Sequence, residues 1–397
     1  MKLRFGYGTS AGYPIPYQTR TVLAAQTNSF VTNGGSVLNT NSLSNVLGNP
    51  NLRPELHREF EGGIEAKFLN NRVGIDLSLY TRESSDLIIA QDLDPATGFT
   101  STTVNGAELE NRGIELGIDL TPLKGRNFSW DITLNLTRNE SEVTRIADGV
   151  DQIQIRSQTA DFLNPGSFAG FFGDLGNYAI VGQPYGIMQG SSFQKDEDGN
   201  FIVDGQGNYQ ADSGIGIIGD PNPDYTANWI NNISYKGISF GFQWQYIKGG
   251  DIFSSTVQSL LARGNTVDTD VDRFVPIVLP GVSADGTPND LQTYIGDSFF
   301  RAYFFADEGG VFDATSIRLR EISLSYVFPD ALIEKTPFGR IGLTFSGQNL
   351  WYNAPNFPEG INYDPEVLSL GVGNGRGFDF RTAPTAQKLG VTLNVTF

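Results

Sequence analysis

The chain has 397 residues, room for several soluble domains or one large β architecture, with 47 Gly, 12% aromatic and only 18% charged residues. A net charge of −17 disfavours nucleic acid as a partner, because phosphate backbones are held by Lys and Arg. The absence of Cys excludes disulfides, thiol nucleophiles and thiolate metal sites, and the one histidine, His57, excludes a multi-histidine zinc centre and argues against a Ser-His-Asp triad.

No apolar run approaches the ~20 residues of a membrane helix. Met1 to Tyr7 lacks the apolar region and cleavage site of a secretory leader, and Lys2 to Ser10 alternates like a strand already under way. The alternation recurs. Val73, Ile75, Leu77 and Leu79 share one face, with Asp76 among the residues between them. Ile114, Leu116, Ile118 and Leu120 alternate with Glu115, Gly117 and Asp119. Trp130, Ile132, Leu134 and Leu136 alternate with Asp131, Thr133 and Asn135. Ile238, Phe240, Phe242, Trp244 and Tyr246 alternate with Ser239, Gly241, Gln243 and Gln245, and Ile341, Leu343 and Phe345 repeat the pattern. That period of two is the mark of a strand. Between Leu319 and Ile322 the phase slips, which predicts a bulge. The final segment, Lys388 to Phe397, puts Leu389, Val391, Leu393, Val395 and Phe397 on one face. Locally, it fits either a barrel stave or the last strand of a soluble sandwich.

Ten strands are predicted near 2–11, 57–69, 72–91, 108–122, 127–145, 226–236, 238–250, 314–328, 338–351 and 385–397. Alternation alone does not say which face meets lipid. The connections help. Asn70-Asn71, Lys124-Gly125-Arg126 and Lys236-Gly237 are tight turns by residue type. Connections 12–56, 92–107, 146–225, 251–313 and 352–384 are long. With the last strand ending in the periplasm, every short turn falls inside and every long connection outside. Tyr185 to Gln194 would break this parity as a stave, so it belongs to the outer loop. Short turns at one end and long loops at the other describe an antiparallel transmembrane β-barrel.

Seven motifs then appear in order. Asn49-Pro50-Asn51-Leu52-Arg53-Pro54-Glu55 is similar to N-P-N-L-K-P-E. Glu110-Asn111-Arg112-Gly113-Ile114-Glu115-Leu116 is similar to E-N-K-G-I-E-L. Val181 to Gly186 carries G-x-P-x-G, Gly219 to Tyr225 resembles G-N-P-x-P-D-[WY], and Gly249 to Phe253 matches G-G-D-I-[YF]. Ser316 to Tyr326 resembles S-F-L-R-L-K-N-I-T-L-G-Y. Asn349-Leu350 and Asp364-Pro365-Glu366-Val367 fit a last loop. Together they resemble the C-terminal barrel portion of a SusC/RagA-type TonB-linked (TonB-dependent) outer-membrane receptor. The residues themselves read as structural: Pro50 and Pro54 mark a connection before pairing starts, Gly113 a strand opening with Asn111 at a turn or bulge, and Pro221 and Pro223 a rigid return from the loop.

The resemblance implies an all-β fold, the C-terminal part of a barrel of about 22 strands, with residues 1–397 all barrel. It implies import of nutrients, glycans or peptides, with a SusD-like surface lipoprotein and the TonB complex as partners, in a bacterial outer membrane. The plug domain, TonB box and signal peptide are expected to be missing through N-terminal truncation. Phe397 resembles the terminal aromatic of the barrel-assembly signal. No cofactor, metal or enzymatic activity is expected. Asp196-Glu197-Asp198-Gly199-Asn200 has a faint calcium-loop pattern, but the twelfth position is Gly207, and a hairpin turn explains it better. Trp351, Tyr352 and Phe357 are candidate substrate-contact aromatics; the alternative is an interfacial girdle for Trp351 and loop packing for the others. Asp76, Glu115, Asp119, Asp131 and Gln243 are expected to face the lumen. Other readings are a passive porin and a soluble β-rich surface-binding module.

Overall fold

The protein is described by a computed structural model covering all residues except 26–29, 32, 36, 39–40, 158–174, 305, 368, 370–372 and 374. All ten predicted staves are present: β1 (Lys2–Gly12), β2 (Glu55–Phe68), β3 (Val73–Asp92), β4 (Ser101–Lys124), β5 (Phe128–Ile146), β6 (Pro223–Tyr235), β7 (Ile238–Gly249), β8 (Ser316–Val327), β9 (Arg340–Asn353) and β10 (Lys388–Thr396). Each pairs antiparallel with the next in chain order, a continuous meander. A short strand, Val46–Leu47, lies parallel to β4 beside this path. Among the described residues, no helix is long and apolar enough to cross a membrane.

Register sorts the side chains into two faces. Leu134 opposes Ile118 and Trp229, and Trp229 opposes Trp244. Thr133 opposes Asp119, and Asp119 opposes Gly74. The apolar rows are not buried against a second sheet: Phe5 is 81% exposed and Leu389 83%. A soluble sandwich would bury those rows, because burial of apolar area drives its folding. Here they face hydrocarbon, and the polar face lines the lumen. Two buried apolar clusters lie outside the spanning sheet. One joins Leu175, Met188, Ile218, Phe253 and Phe378, and another Ile252, Val257, Leu261, Ala354 and Phe357.

The inner turns follow their residue chemistry. Lys236 and Gly237 take φ of 46° and 86°, the positive pair that lets two twisted strands join in two residues. Leu69, Asn70 and Asn71 all have positive φ. The β8–β9 connection holds a short helix, Asp330–Ile333. The phase slip is a bulge: Glu321 and Leu319 oppose the consecutive residues Gln243 and Trp244, leaving Arg320 outside the ladder.

Two expectations are corrected. The connection expected at 92–107 is only 93–100, because β4 begins at Ser101. Irregularities between Ser84 and Ile88, with Asp86 at φ 56°, break the alternation and carry pairing onward to Ser101. The Ser/Thr/Asn-rich segment 101–105 hides its strand character from an apolar period. Gly113, expected at a strand opening, lies mid-strand, and a Cβ there would meet the Tyr80 ring at 2.1 Å. It is a glycine so that the ring can cross over it.

The outer connections fold. A four-stranded sheet joins Gln152–Ser157, Gly176–Ile180, Ile187–Phe193 and Ala211–Gly219. The segment expected to be loop rather than stave therefore pairs within the loop. A three-stranded sheet joins Val311–Asp313, Asp251–Ser254 and Phe378–Asp379, beside helix α1 (Ser255–Leu261).

Candidate functional site

The lumen wall is a cross-linked polar surface. Arg4 Nη1 donates to Asp76 Oδ2 at 3.2 Å and Nη2 to Ser78 Oγ at 3.0 Å, and Ser78 in turn donates to Glu61 at 3.1 Å. Thr133 Oγ1 donates to Asp119, and Thr121 Oγ1 to Asp131, each at 2.7 Å. Gln243 reaches Asn228 at 3.4 Å. Tyr80, lying over Gly113, donates its hydroxyl to Asn139 at 3.0 Å. Glu59, Glu61, Ser78, Glu115 and Asn139 line an open recess of about 420 Å³ with Tyr80. Carboxylates crowd β2 to β5, whereas β6 to β10 present mainly amides and hydroxyls.

The motifs converge where the loops meet the rim. Asp251 N–H donates to the Asp220 carbonyl at 2.6 Å, and Asp220 N–H to Asp251 Oδ2 at 2.8 Å. This joins the segment around Pro221 to the one around Gly250. Asn222 Nδ2 donates to the Tyr185 carbonyl at 3.1 Å, which adds the Val181–Gly186 turn. Gly377 of the last loop touches the same hub, where a Cβ would meet Pro221 at 2.6 Å. Burial pushes the Asp251 carboxyl up, helped by Asp313, Asp220 and Asp224, against the pull of its backbone hydrogen bond. Further along the same rim, Asn105 Nδ2 donates to the carbonyls of both Arg53 and Asp86, each at 2.8 Å. Glu55 accepts from Ile88 N–H at 2.8 Å. Asp196 closes a hairpin, accepting from Asn200 N–H at 2.8 Å, with Gly199 at φ 82°.

The strongest anchor ties the last loop to the inner wall. Arg318, on the lumen side of β8, is ion-paired with Asp364, and both side chains are buried. Arg318 Nε lies 3.5 Å from Glu366, and Arg320, freed by the bulge, pairs with Glu366 and Gln245. Burial pushes the Asp364 carboxyl up, but hydrogen bonds from Arg318 and Thr385 outweigh it and hold the group below the usual carboxylate range. Reading the sequence for function missed this network. Its signal was two arginines inside an otherwise apolar alternation, which need buried partners.

The candidate aromatics are not brought together. Trp351 faces outward, 46% exposed, edge-on to Trp244 at 5.7 Å between ring centres. Tyr352 faces inward under the Arg318 guanidinium, 5.0 Å above its ring, and donates its hydroxyl to the Asn362 carbonyl at 2.9 Å. Phe357 is 7% exposed, packed on Phe312 at 5.2 Å and Tyr363 at 5.4 Å. Phe397 lies exposed at the inner end, edge-on to Phe338. Among the described residues, no three His, Asp or Glu groups are arranged to hold a metal ion.

A family model described as TonB dependent receptor-like, beta-barrel matches residues 1–215. TonB-dependent receptor P3 of Formosa agariphila is 27% identical over 414 residues, across all of this chain and 39% of that protein. TonB-dependent receptor SusC of Bacteroides thetaiotaomicron is 28% identical over 204 residues, across 49% of this chain and 19% of that protein. The RagAB peptide transporter structure superposes with a TM-score of 0.66 at 18% identity, over all of this chain and 40% of the solved one. The chain thus spans about two fifths of the length of the Formosa relative. A meander with greasy outside, polar inside and folded outer loops, together with this match, places the chain in the outer membrane as a member of the TonB-dependent receptor β-barrel family.

Proposed function

We propose that the chain supplies barrel wall and outer loops to a TonB-dependent nutrient receptor. The receptor imports glycans or peptides together with a SusD-like surface lipoprotein, and a plug domain and TonB box couple it to the TonB complex. The observation that carries this is the last loop, folded against the lumen wall through Arg318–Asp364 and Arg320–Glu366 above a hydrogen-bonded polar surface. A passage whose outer end is occupied by anchored loops suits selective uptake better than free diffusion. Peptide import is what the solved RagAB relative is named for, so peptides stand beside glycans as candidates. The family is one of receptors and transporters rather than enzymes. Within this proposal Phe397 acts in barrel assembly, and Tyr352, on the inner face, is the aromatic placed to meet a passing solute.

Deleting the gene is expected to abolish growth on one class of glycan or peptide as sole nutrient. Depleting TonB should do the same, and affinity purification of the receptor should bring down a surface lipoprotein. Uptake that persists without TonB would instead establish a passive pore.

A further inference from the structure

We propose that the outer rim between β5 and β6 binds an extended peptide carrying Lys or Arg side chains, which adds as a strand to an open edge of β5 on its way to the lumen. The edge follows from where pairing stops. β5 and β6 part above Thr137 and Thr226, while β5 runs on along β4 to Ile146. Val143 turns its backbone groups away from β4: its N–H donates to the Gln183 carbonyl at 3.0 Å, and its carbonyl accepts from Gly182 N–H at 2.8 Å. Backbone groups two residues apart on a strand point the same way, so those of Asn139 and Ser141 also turn from β4. They meet no backbone partner among the described residues. Roughly 20 Å of strand, at about 3.4 Å per residue, lies between Thr137 and Val143. The outward side chains here, Arg138 and Glu140, are charged, so the gap sits above the hydrocarbon, where water tolerates open backbone groups. Such an edge is a template for another extended chain, which brings main-chain donors and acceptors in matching order.

Three hollows in series lead from this edge to the lumen wall. A recess of about 410 Å³ lies between the edge and the segment from Asp220 to Asp224. It shares Asn139, Ser141 and Asn222 with a polar pocket of about 250 Å³ beside Tyr185. That pocket shares Asn111 and Asn139 with the recess of about 420 Å³ around Tyr80. The shared residues join the hollows into one track along β4 and β5. Their amide side chains offer both donors and acceptors to a peptide backbone.

The open edge selects a peptide over a glycan, because a sugar chain has no repeating N–H and C=O to pair with it. The balance of charge along the track then sets the side chains. At the rim Arg112 pairs with Glu110 and Arg138 with Glu140, which leaves Glu142, Asp220 and Asp224 without an ion pair among the described residues. In the recess around Tyr80, Glu59, Glu61 and Glu115 stand against Arg82. Carboxylates are in surplus at both ends, which attracts cationic side chains and repels an anionic chain. The proposal rests on the importer reading above and names the class of solute.

The test uses the whole receptor that includes this chain, extracted with its partners from its own outer membrane. Hydrogen exchange at the Asn139 and Ser141 amides is expected to be fast in the free receptor and slow once a short peptide of alternating Lys and Thr is bound. That peptide should bind about tenfold tighter than one of alternating Glu and Thr. It should also bind about tenfold tighter than its N-methylated copy, which keeps the charge and loses the main-chain donors. Asn139→Pro removes an edge N–H that the β4 ladder does not use, and should weaken binding about tenfold. Should that variant fail to fold, the N-methylated copy asks the same question of the unmodified receptor. Slow exchange without peptide, or equal binding of the methylated or the Glu peptide, overturns the proposal. TonB-dependent glycan uptake with no peptide bound also overturns it and leaves the importer standing. Peptide binding in the expected order, with uptake that persists without TonB, supports the rim site and removes the importer.

Discussion

Asp364, buried, and Asp251, half-buried, are carboxylates at loop junctions, and their surroundings push them in opposite directions. Arg318 and Thr385 stabilise the charged form of Asp364, so its pKa lies below the unfolded value. Its contribution to docking of the last loop is complete above the ordinary carboxylate value, about 4, and is lost as pH falls through the lower native value. Asp251 has carboxylate neighbours and no cation among its influences, so burial raises its pKa. Its contribution is complete below about pH 4 and is lost as pH rises through the raised value. Asp251→Asn keeps an acceptor for the Asp220 N–H and should slow hydrogen exchange at 249–254 at neutral pH, with no gain below about pH 4. Arg318→Met leaves Asp364 buried without its cation and should open the last loop at a cost of about 3–5 kcal/mol. Faster exchange in Asp251→Asn at neutral pH, or unchanged exchange around 361–367 in Arg318→Met, would refute these assignments. The pair Arg318–Asp364 was invisible as a pair in the sequence, because 46 residues separate its members. Only the charge inside an apolar period was legible.

At the scale of elements, turns and staves follow local chemistry closely. Asn-Asn and Lys-Gly were readable as turns because Asn and Gly tolerate positive φ. Leu69 does not fit that rule: it adopts φ 53° and is 73% exposed, so it carries left-handed strain with little packing in return. Leu69→Asn is expected to stabilise the β2–β3 hairpin by about 0.5–1 kcal/mol, read as a higher urea midpoint of the folded barrel. A lower midpoint would mean that Leu69 has a packing role at the membrane surface. The bulge at Arg320 was likewise readable from the phase slip. The start of β4 was not, since its first residues are polar on both faces and pair only because β3 extends alongside. Trp351, Tyr352 and Phe357 show the same limit. Strand alternation separates the first two, but only the fold of the loop decides that Phe357 is buried.

For the whole molecule, the two faces of the sheet set the solvent on each side. The edges β1 and β10 each have one paired neighbour among the described residues and are not joined to each other. Unpaired backbone in hydrocarbon is costly, as every N–H and C=O there needs a partner. Expressed as these 397 residues only, the sheet is therefore expected to give no heat-resistant folded band on a detergent gel. A stable closed species of that length would show β1 pairing with β10. The alternation by itself determined the staves, their order and the inner and outer ends, because a period of two and the chemistry of turns act over a few residues. The tertiary structure decided the rest: the loop hub and the buried charge pairs. Those depend on residues far apart in the chain, brought together by register and by the way the outer loops fold back on the wall.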